Sequence, residues 1–204
     1  MIRLPDDFPV LYILYIYYRI LFMKYEAQTI TLSSGLICTI RSAEKTDARA
    51  MIDHLLITNE ESYFMMRYPE EINTTLEDEE SIIEDYSASS NKLLLLAVVD
   101  TIIAGTCGIE PVLDRMKIRH RAHFGIGIKK AYWNKGIGSI LLTRILEHAK
   151  AQNFAQVELG VYADNDRARH VYQKHGFTEW GRIKNAYKLK DNTYRDEIYM
   201  GLVF

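Results

Sequence analysis

The apolar positions of this chain change period along its length, and each change marks an element. Residues 93–99, from Leu93 through Val99, form an unbroken apolar run of strand length, which predicts a strand covered on both faces. Asp100 and Thr101 predict a turn, after which 102–109 returns as an antiparallel neighbour. Upstream, 29–41 reads as a strand region. Its apolar positions fit either a short hairpin, Ile30 and Leu32 against Ile37, Cys38 and Ile40, or one strand bulged around Gly35. Between the two strand regions the period becomes helical. Thr46 and Asp47 offer caps for a helix whose Ala50, Met51, His54 and Leu55 share one face. Pro69 breaks the next stretch. Thr74 and Thr75, with Glu77 and Asp78 three residues later, resemble a capping box that opens a second helix through Ile82, Ile83 and Tyr86. The acidic run 77–80 suits the positive end of that helix and predicts a solvated start.

Beyond residue 110, the basic cluster of Arg115, Lys117, Arg119, His120 and Arg121 predicts a solvated loop, and 123–128 a further strand. Residues 137–149 carry the strongest helical pattern, with Ile137, Leu141, Ile145 and Leu146 on one side. Residues 156–161 alternate as a strand, and 166–174 predict a short helix ended by Gly176 at the left-handed cap position. Two last strands fall near 178–183 and 197–203. No repeat, low-complexity tract or linker separates these elements, so 29–204 reads as one mixed α/β domain. The remaining 1–28 is an N-terminal extension, apolar over 8–23. That run is shorter than the ~20 residues of a spanning helix, and Arg19 interrupts it. Three readings stay open for it: a chain start placed upstream of a true start at Met23, a packed extra element, or an interfacial anchor. Met23-Lys24-Tyr25-Glu26 favours the first, and a membrane is not an expected partner.

Composition narrows the class. With 204 residues, 48% hydrophobic and 25% charged, the chain suits one globular domain and excludes disorder, collagen or coiled coil as descriptions of the whole. Lys and Arg number 25 against 27 Asp and Glu, a net charge of −2. That balance lacks the positive field with which nucleic-acid binders displace counterions, so no nucleic acid is expected. Cys38 and Cys107 lie far apart and outside any CxxC or Cys/His cluster. They predict neither a disulfide framework nor a metal site, but reduced thiols in a cytoplasmic protein.

The candidate chemistry starts at Trp133-Asn134-Lys135-Gly136-Ile137-Gly138-Ser139, between a strand and the strongest helix. Glycines at 136 and 138 let the backbone bend and let a ligand approach. The amides of a first helical turn have no internal partner, and the helix dipole makes that end positive, so the turn is a cradle for phosphate. A plain strand-to-helix turn would carry the same glycines. The P-loop pattern is absent, and Leu141 stands where a Rossmann fingerprint needs its third glycine.

The order of elements discriminates further. The strand through Phe124-Gly125-Ile126-Gly127-Ile128, the glycine turn, the long helix, the strand 157–161 and then Asn165, Ala168, Tyr172, Lys174, Gly176 and Phe177 in an NxxAxxxYxKxGF pattern resemble the GNAT superfamily of acyl-CoA-dependent N-acetyltransferases. The resemblance covers roughly 37–204 in topology and is dense in motif over 125–177. Trp133 departs from the Gln or Arg that usually opens the family's turn, as in members with a YWxKGIG run. The resemblance implies a central, mostly antiparallel sheet, splayed at the cofactor site and flanked by helices. It implies acetyl-CoA as co-substrate. Ile126, Gly127 and Ile128 would take its pantetheine arm like an added strand, and Ile128 N–H would polarise the thioester carbonyl. Trp133, Asn134, Lys135, Gly136, Ile137, Gly138 and Ser139 would form the pyrophosphate turn, with Asn165 and Lys174 contributing from the later motif. Asn165 also reads as a plain N-cap.

Transfer of an acetyl group to an amine needs a neutral amine, a donor to the developing oxyanion and a proton for the departing thiolate. By resemblance Tyr172 lies near the thioester sulfur, and a phenol of pKa about 10 suits a thiolate leaving group. It also reads as a packed aromatic. The base stays open between Glu110 and His123, with Glu158 on another strand, since Ala122 stands where relatives often carry a glutamate. The chain's ending, including Asp196 and Glu197, resembles bacterial members acting on small amines and amino acids, where the last strands line the acceptor side and often a homodimer contact. The expected reaction is acetyl transfer to a small primary amine within a ternary complex. A protein or peptide acceptor, discriminated by whether the 63–86 region closes the cleft, and a non-catalytic acyl-CoA sensor are the alternatives.

Overall fold

The computed structural model describes residues 25–204, so the apolar run at 8–23 lies outside the described residues. The elements in order are β1 (Gln28–Thr31), β2 (Ile37–Ser42), α1 (Ala48–Glu61), α2 (Leu76–Ala88), β3 (Leu93–Val99), β4 (Ile102–Pro111), β5 (Arg121–Ile128), α3 (Ile137–Ala151), β6 (Gln156–Tyr162), α4 (Asp166–Lys174), β7 (Thr178–Lys188) and β8 (Tyr194–Val203). Eight strands form one sheet in the order β1-β2-β3-β4-β5-β6-β8-β7. Every pairing is antiparallel except β5 with β6.

Local chemistry explains most of these boundaries. The first strand region is a hairpin, with Gly35 at φ +81° in its turn, where a side chain would be strained. Asp100 and Thr101 both take positive φ, 47° and 70°, matching the two-residue turn that follows the twist of paired strands. Thr75 Oγ1 accepts from Asp78 N at 3.1 Å while Asp78 Oδ2 accepts from Thr75 N at 3.0 Å, closing the capping box of α2. The acidic start of α2 is not wholly solvated: Glu79 is buried, and burial raises its pKa. Asp47 does not cap α1 with its side chain. Its carboxylate instead accepts from Glu44 N at 2.8 Å and from both terminal nitrogens of Arg41 at 2.6 and 2.7 Å.

β3 is covered on both faces because two layers meet there. Leu93, Leu95, Ala97 and Val99 join a cluster with Ile137, Leu141, Leu142 and Ile145 of α3. Leu96 faces the other way, into Met51 of α1 and Ile83 of α2. This sandwich holds the middle of the sheet rigid on either side.

The rigidity ends at one line. β5 and β6 pair only at Arg121 with Gln156, Ala122 with Val157, and His123 with Glu158, and then part. Arg121, expected in a solvated loop, begins β5 and clamps that junction: its Nε and Nη2 donate to the nearly buried Glu158 carboxylate at 2.9 and 2.6 Å. Tyr199 of β8 also donates to Glu158. Sequence spacing alone did not show this partner, 37 residues away.

Candidate active site

Past the clamp, β5 from Phe124 onward pairs with β4 alone, and β6 from Leu159 onward pairs with β8 alone. Each strand therefore turns one edge of backbone N–H and C=O groups toward the gap, and such groups need partners. The gap opens into a cleft of about 390 Å³, lined along both strands by Phe124–Ile128 and Leu159–Tyr162.

The glycine turn stands at one end of the cleft. Gly136 has φ +88° and ψ −7° and caps α3 without a side chain. A Cβ built there would meet nothing within 4 Å, so the conformation, not space, calls for glycine. Gly136→Ala is accordingly expected to cost about 1–2 kcal/mol of folding stability, read from urea unfolding. The first-turn amides of Ile137, Gly138 and Ser139 have no partner within the helix. Trp133 braces the loop: its indole Nε1 donates to Ile128 O at 2.7 Å, tying the turn to the end of β5.

α4 crosses the cleft. Asn165 Oδ1 accepts from Ala168 N at 3.2 Å, so it caps the helix, and its side also lines the cleft; both roles expected of it are compatible. Tyr172 lies on the inner face, 7% exposed, edge-on to Phe124 with ring centroids 5.6 Å apart. Among the described residues its hydroxyl has no hydrogen-bond partner, and it lines the cleft. Burial pushes its pKa well above that of a free tyrosine. Ile126, Gly127, Ile128, Trp133, Asn134, Gly136, Ile137, Gly138 and Ser139 also line the cleft.

Four expected residues are placed elsewhere. Lys135 and Lys174 stand outside the lining, Lys174 exposed at the end of α4. Glu110 and His123 are neighbours across β4 and β5 and are also outside the lining. Glu110 pairs with Lys92 at 3.1 Å and with His123 Nε2 at 3.4 Å. Ala122, between them and the clamp, is fully buried. Glu158, the other carboxylate weighed as a base, is held by Arg121, Tyr199 and Gln156. Glu110 and Glu158 thus each have a cationic partner, Lys92 and Arg121 respectively.

The far end of the cleft brings together the 63–86 region and the last strands, the two parts expected to bound it, through aromatic contacts that residue order did not specify. Phe64, Met65 and Met66 from the segment after α1 meet Tyr162 and Tyr187 there. Tyr187 stacks on Tyr162 at 3.9 Å and 11°, because β7 runs on to Lys188, past the expected strand end. Desolvation and the neighbouring Tyr68, Asp164, Tyr63 and Glu197 push the Tyr162 pKa up to about 12. Glu197 is spent on the hairpin, accepting from Tyr187 Oη at 2.6 Å; Asp196 likewise accepts from Arg182 Nε at 2.7 Å and Asn185 N at 2.8 Å. The segment after α1 is fastened down as a roof. Tyr63 Oη donates to Asp164 at 2.8 Å, Lys190 N donates to Tyr68 Oη at 2.9 Å, and Lys190 pairs with Glu70.

Among the described residues no group of three or more His, Cys, Asp or Glu side chains is placed to hold a metal ion, and no helix is long and apolar enough to cross a membrane.

A sheet that parts beside a glycine turn, with a tyrosine-bearing helix across the gap, is the arrangement that the resemblance to the acyl-CoA-dependent N-acetyltransferases implied. The model of the acetyltransferase (GNAT) family matches residues 54–177, and the chain belongs to that family. It is similar to the L-amino acid N-acetyltransferase AaaT of Escherichia coli (strain K12), 35% identical over 112 residues that cover 53% of this chain and 67% of that protein. It is also similar to a solved GNAT-family acetyltransferase from Streptococcus pneumoniae, with a TM-score of 0.78 and 32% identity over 82% of this chain and 99% of that one. The structure of yncA from Salmonella typhimurium with its cofactor acetyl-CoA shares the fold at a TM-score of 0.72 and 17% identity, covering 81% of this chain and 93% of that one.

Proposed function

We propose that this acetyltransferase moves the acetyl group of acetyl-CoA to the primary amine of a small molecule or amino acid while both substrates are bound. The observation that carries the reading is the cleft: a free strand edge and a glycine cradle at one end, a roofed aromatic chamber at the other, with Tyr172 between. Acetyl-CoA fits the donor half, where Gly136 leaves open space and the edge of β5 leaves unpaired backbone groups. Bound there, it supplies a thioester acyl donor. Ile126, Gly127 and Ile128 hold the pantetheine arm through their backbone, and Ile128 N–H faces the thioester carbonyl. The amides from Gly136 to Ser139 hold the pyrophosphate. Tyr172 donates a proton to the departing sulfur.

The roof supports a small acceptor over a protein one. An extended peptide needs an open groove, and the ties from Tyr63 to Asp164 and from Lys190 to Tyr68 hold the segment after α1 over that side. The similarity to a protein named as an L-amino acid N-acetyltransferase points the same way. The two cysteines are buried and unpaired, consistent with a reducing, cytoplasmic setting. The test is thiol release from acetyl-CoA with a panel of amino acids, polyamines, aminoglycosides and short peptides. Turnover with a free amine or amino acid is expected. Turnover with peptides alone would replace the reading by a protein acceptor, and a rise in melting temperature with acetyl-CoA but no turnover would replace it by a sensor.

A further inference from the structure

Among the described residues Arg167 is a cation without a counter-ion, and it lines the cleft. It stands in the first turn of α4. Among the described residues it makes no hydrogen bond and no ion pair. Its neighbour Arg169 shows the ordinary alternative, bonding Ala163 O at 3.0 Å and pairing with Asp166 and Glu179. What Arg167 does have is Trp133: its guanidinium carbon lies 3.4 Å from the centre of the indole ring, in van der Waals contact with the face. The same indole is pinned to Ile128 O, so the platform is fixed to the strand and to the turn that caps α3.

This arrangement solves a problem of arginine chemistry. A long side chain loses rotamer freedom when it grips a ligand, and a stacked guanidinium has already lost it. The ring attracts the cation through its quadrupole yet leaves the planar fork of N–H donors free at the edge. An unpaired fork lining the same cleft as unpartnered helix amides matches a phosphate, which takes bidentate donors from one side and amides from another.

We propose that Arg167 recognises a phosphate of the nucleotide arm of acetyl-CoA and that Trp133 is the residue that positions it. The inference rests on the donor-site reading above. Two phosphate sources share this chemistry, the pyrophosphate and the 3′-phosphate.

Isothermal titration with acetyl-CoA and with its 3′-dephospho form, on wild type, Arg167→Met, Arg167→Lys and Trp133→Leu, tests it. Arg167→Met is expected to weaken acetyl-CoA by about ten-fold, with a loss that shrinks at high ionic strength, and to leave the melting temperature of the free protein near wild type. Arg167→Lys recovers part of the loss, since the charge remains and the fork does not. Trp133→Leu weakens binding, and adding Arg167→Met to it weakens binding no further, as positioning requires. An equal loss with both donors assigns Arg167 to the pyrophosphate; a loss confined to acetyl-CoA assigns it to the 3′-phosphate. Arg167→Met binding both donors within two-fold of wild type overturns the proposal, as does a loss independent of salt and matched by a lower melting temperature. Wild type failing to bind acetyl-CoA at all overturns the donor-site reading itself.

Discussion

Tyr172→Phe is expected to lower kcat by about 100-fold while acetyl-CoA affinity stays near wild type. The substitution removes one hydroxyl and keeps the ring that packs edge-on against Phe124 and 6.1 Å from Phe177, so the cleft keeps its shape. A group that protonates the leaving sulfur acts in the transition state, so its loss belongs in kcat and not in donor binding. The pH profile adds a second check. Burial raises the Tyr172 pKa above the ordinary phenol value of about 10, so the proton-bearing form persists through neutral and mildly alkaline pH. Wild-type kcat should therefore show no alkaline decline from this residue below pH ~10. Steady-state kinetics with the acceptor found in the panel measures both effects. Unchanged kcat in the phenylalanine variant would return Tyr172 to a packing role.

Arg121→Met is expected to destabilise the fold by about 3 kcal/mol, measured by urea unfolding. The variant strands the Glu158 carboxylate, whose side chain is only 4% exposed, without its bidentate partner. The figure is set at the low end of the range for breaking a buried pair because the Arg121 side chain is itself 31% exposed. Burial acts to raise the Glu158 pKa, but the hydrogen bonds from Arg121, Tyr199 and Gln156 outweigh it and hold the carboxyl below its ordinary value. A carboxyl depressed in the folded state stabilises the fold above its unfolded pKa, and that contribution fades as pH falls through the folded one. Wild type should therefore lose stability more steeply on acidification below pH ~4.3 than the Arg121→Met variant does. Equal acid sensitivity of the two proteins would show that the clamp is not coupled to protonation.

What could be read from the residues in order was what depends on near neighbours. The double-faced apolar run at β3, the capping box at Thr75, the turn at Asp100 and Thr101, and the glycine turn ahead of α3 each follow from local backbone and side-chain chemistry. The motif around Asn165 and Tyr172 was legible through its resemblance to the family pattern, and in the structure Asn165 caps the helix while Tyr172 is buried on it. What the residue order did not carry was pairing at a distance. Arg121 reads as one more basic residue in a loop until Glu158 is placed opposite it, and the splay of β5 from β6 begins where that clamp ends. Glu110 and His123, thirteen residues apart in the chain, are set side by side by the register of β4 and β5. Phe64, Tyr162 and Tyr187 form one wall though more than a hundred residues separate the first from the last, and Arg167 reads as an ordinary helix charge until Trp133 is beneath it. The sequence by itself thus determined the class of domain and the glycine turn ahead of α3, the first through motifs that resemble a known family and the second through residues written side by side. The aromatic end of the cleft, the clamp and the stacked arginine were decided only by the tertiary structure, because each is a contact between elements whose distance in space has no counterpart along the chain.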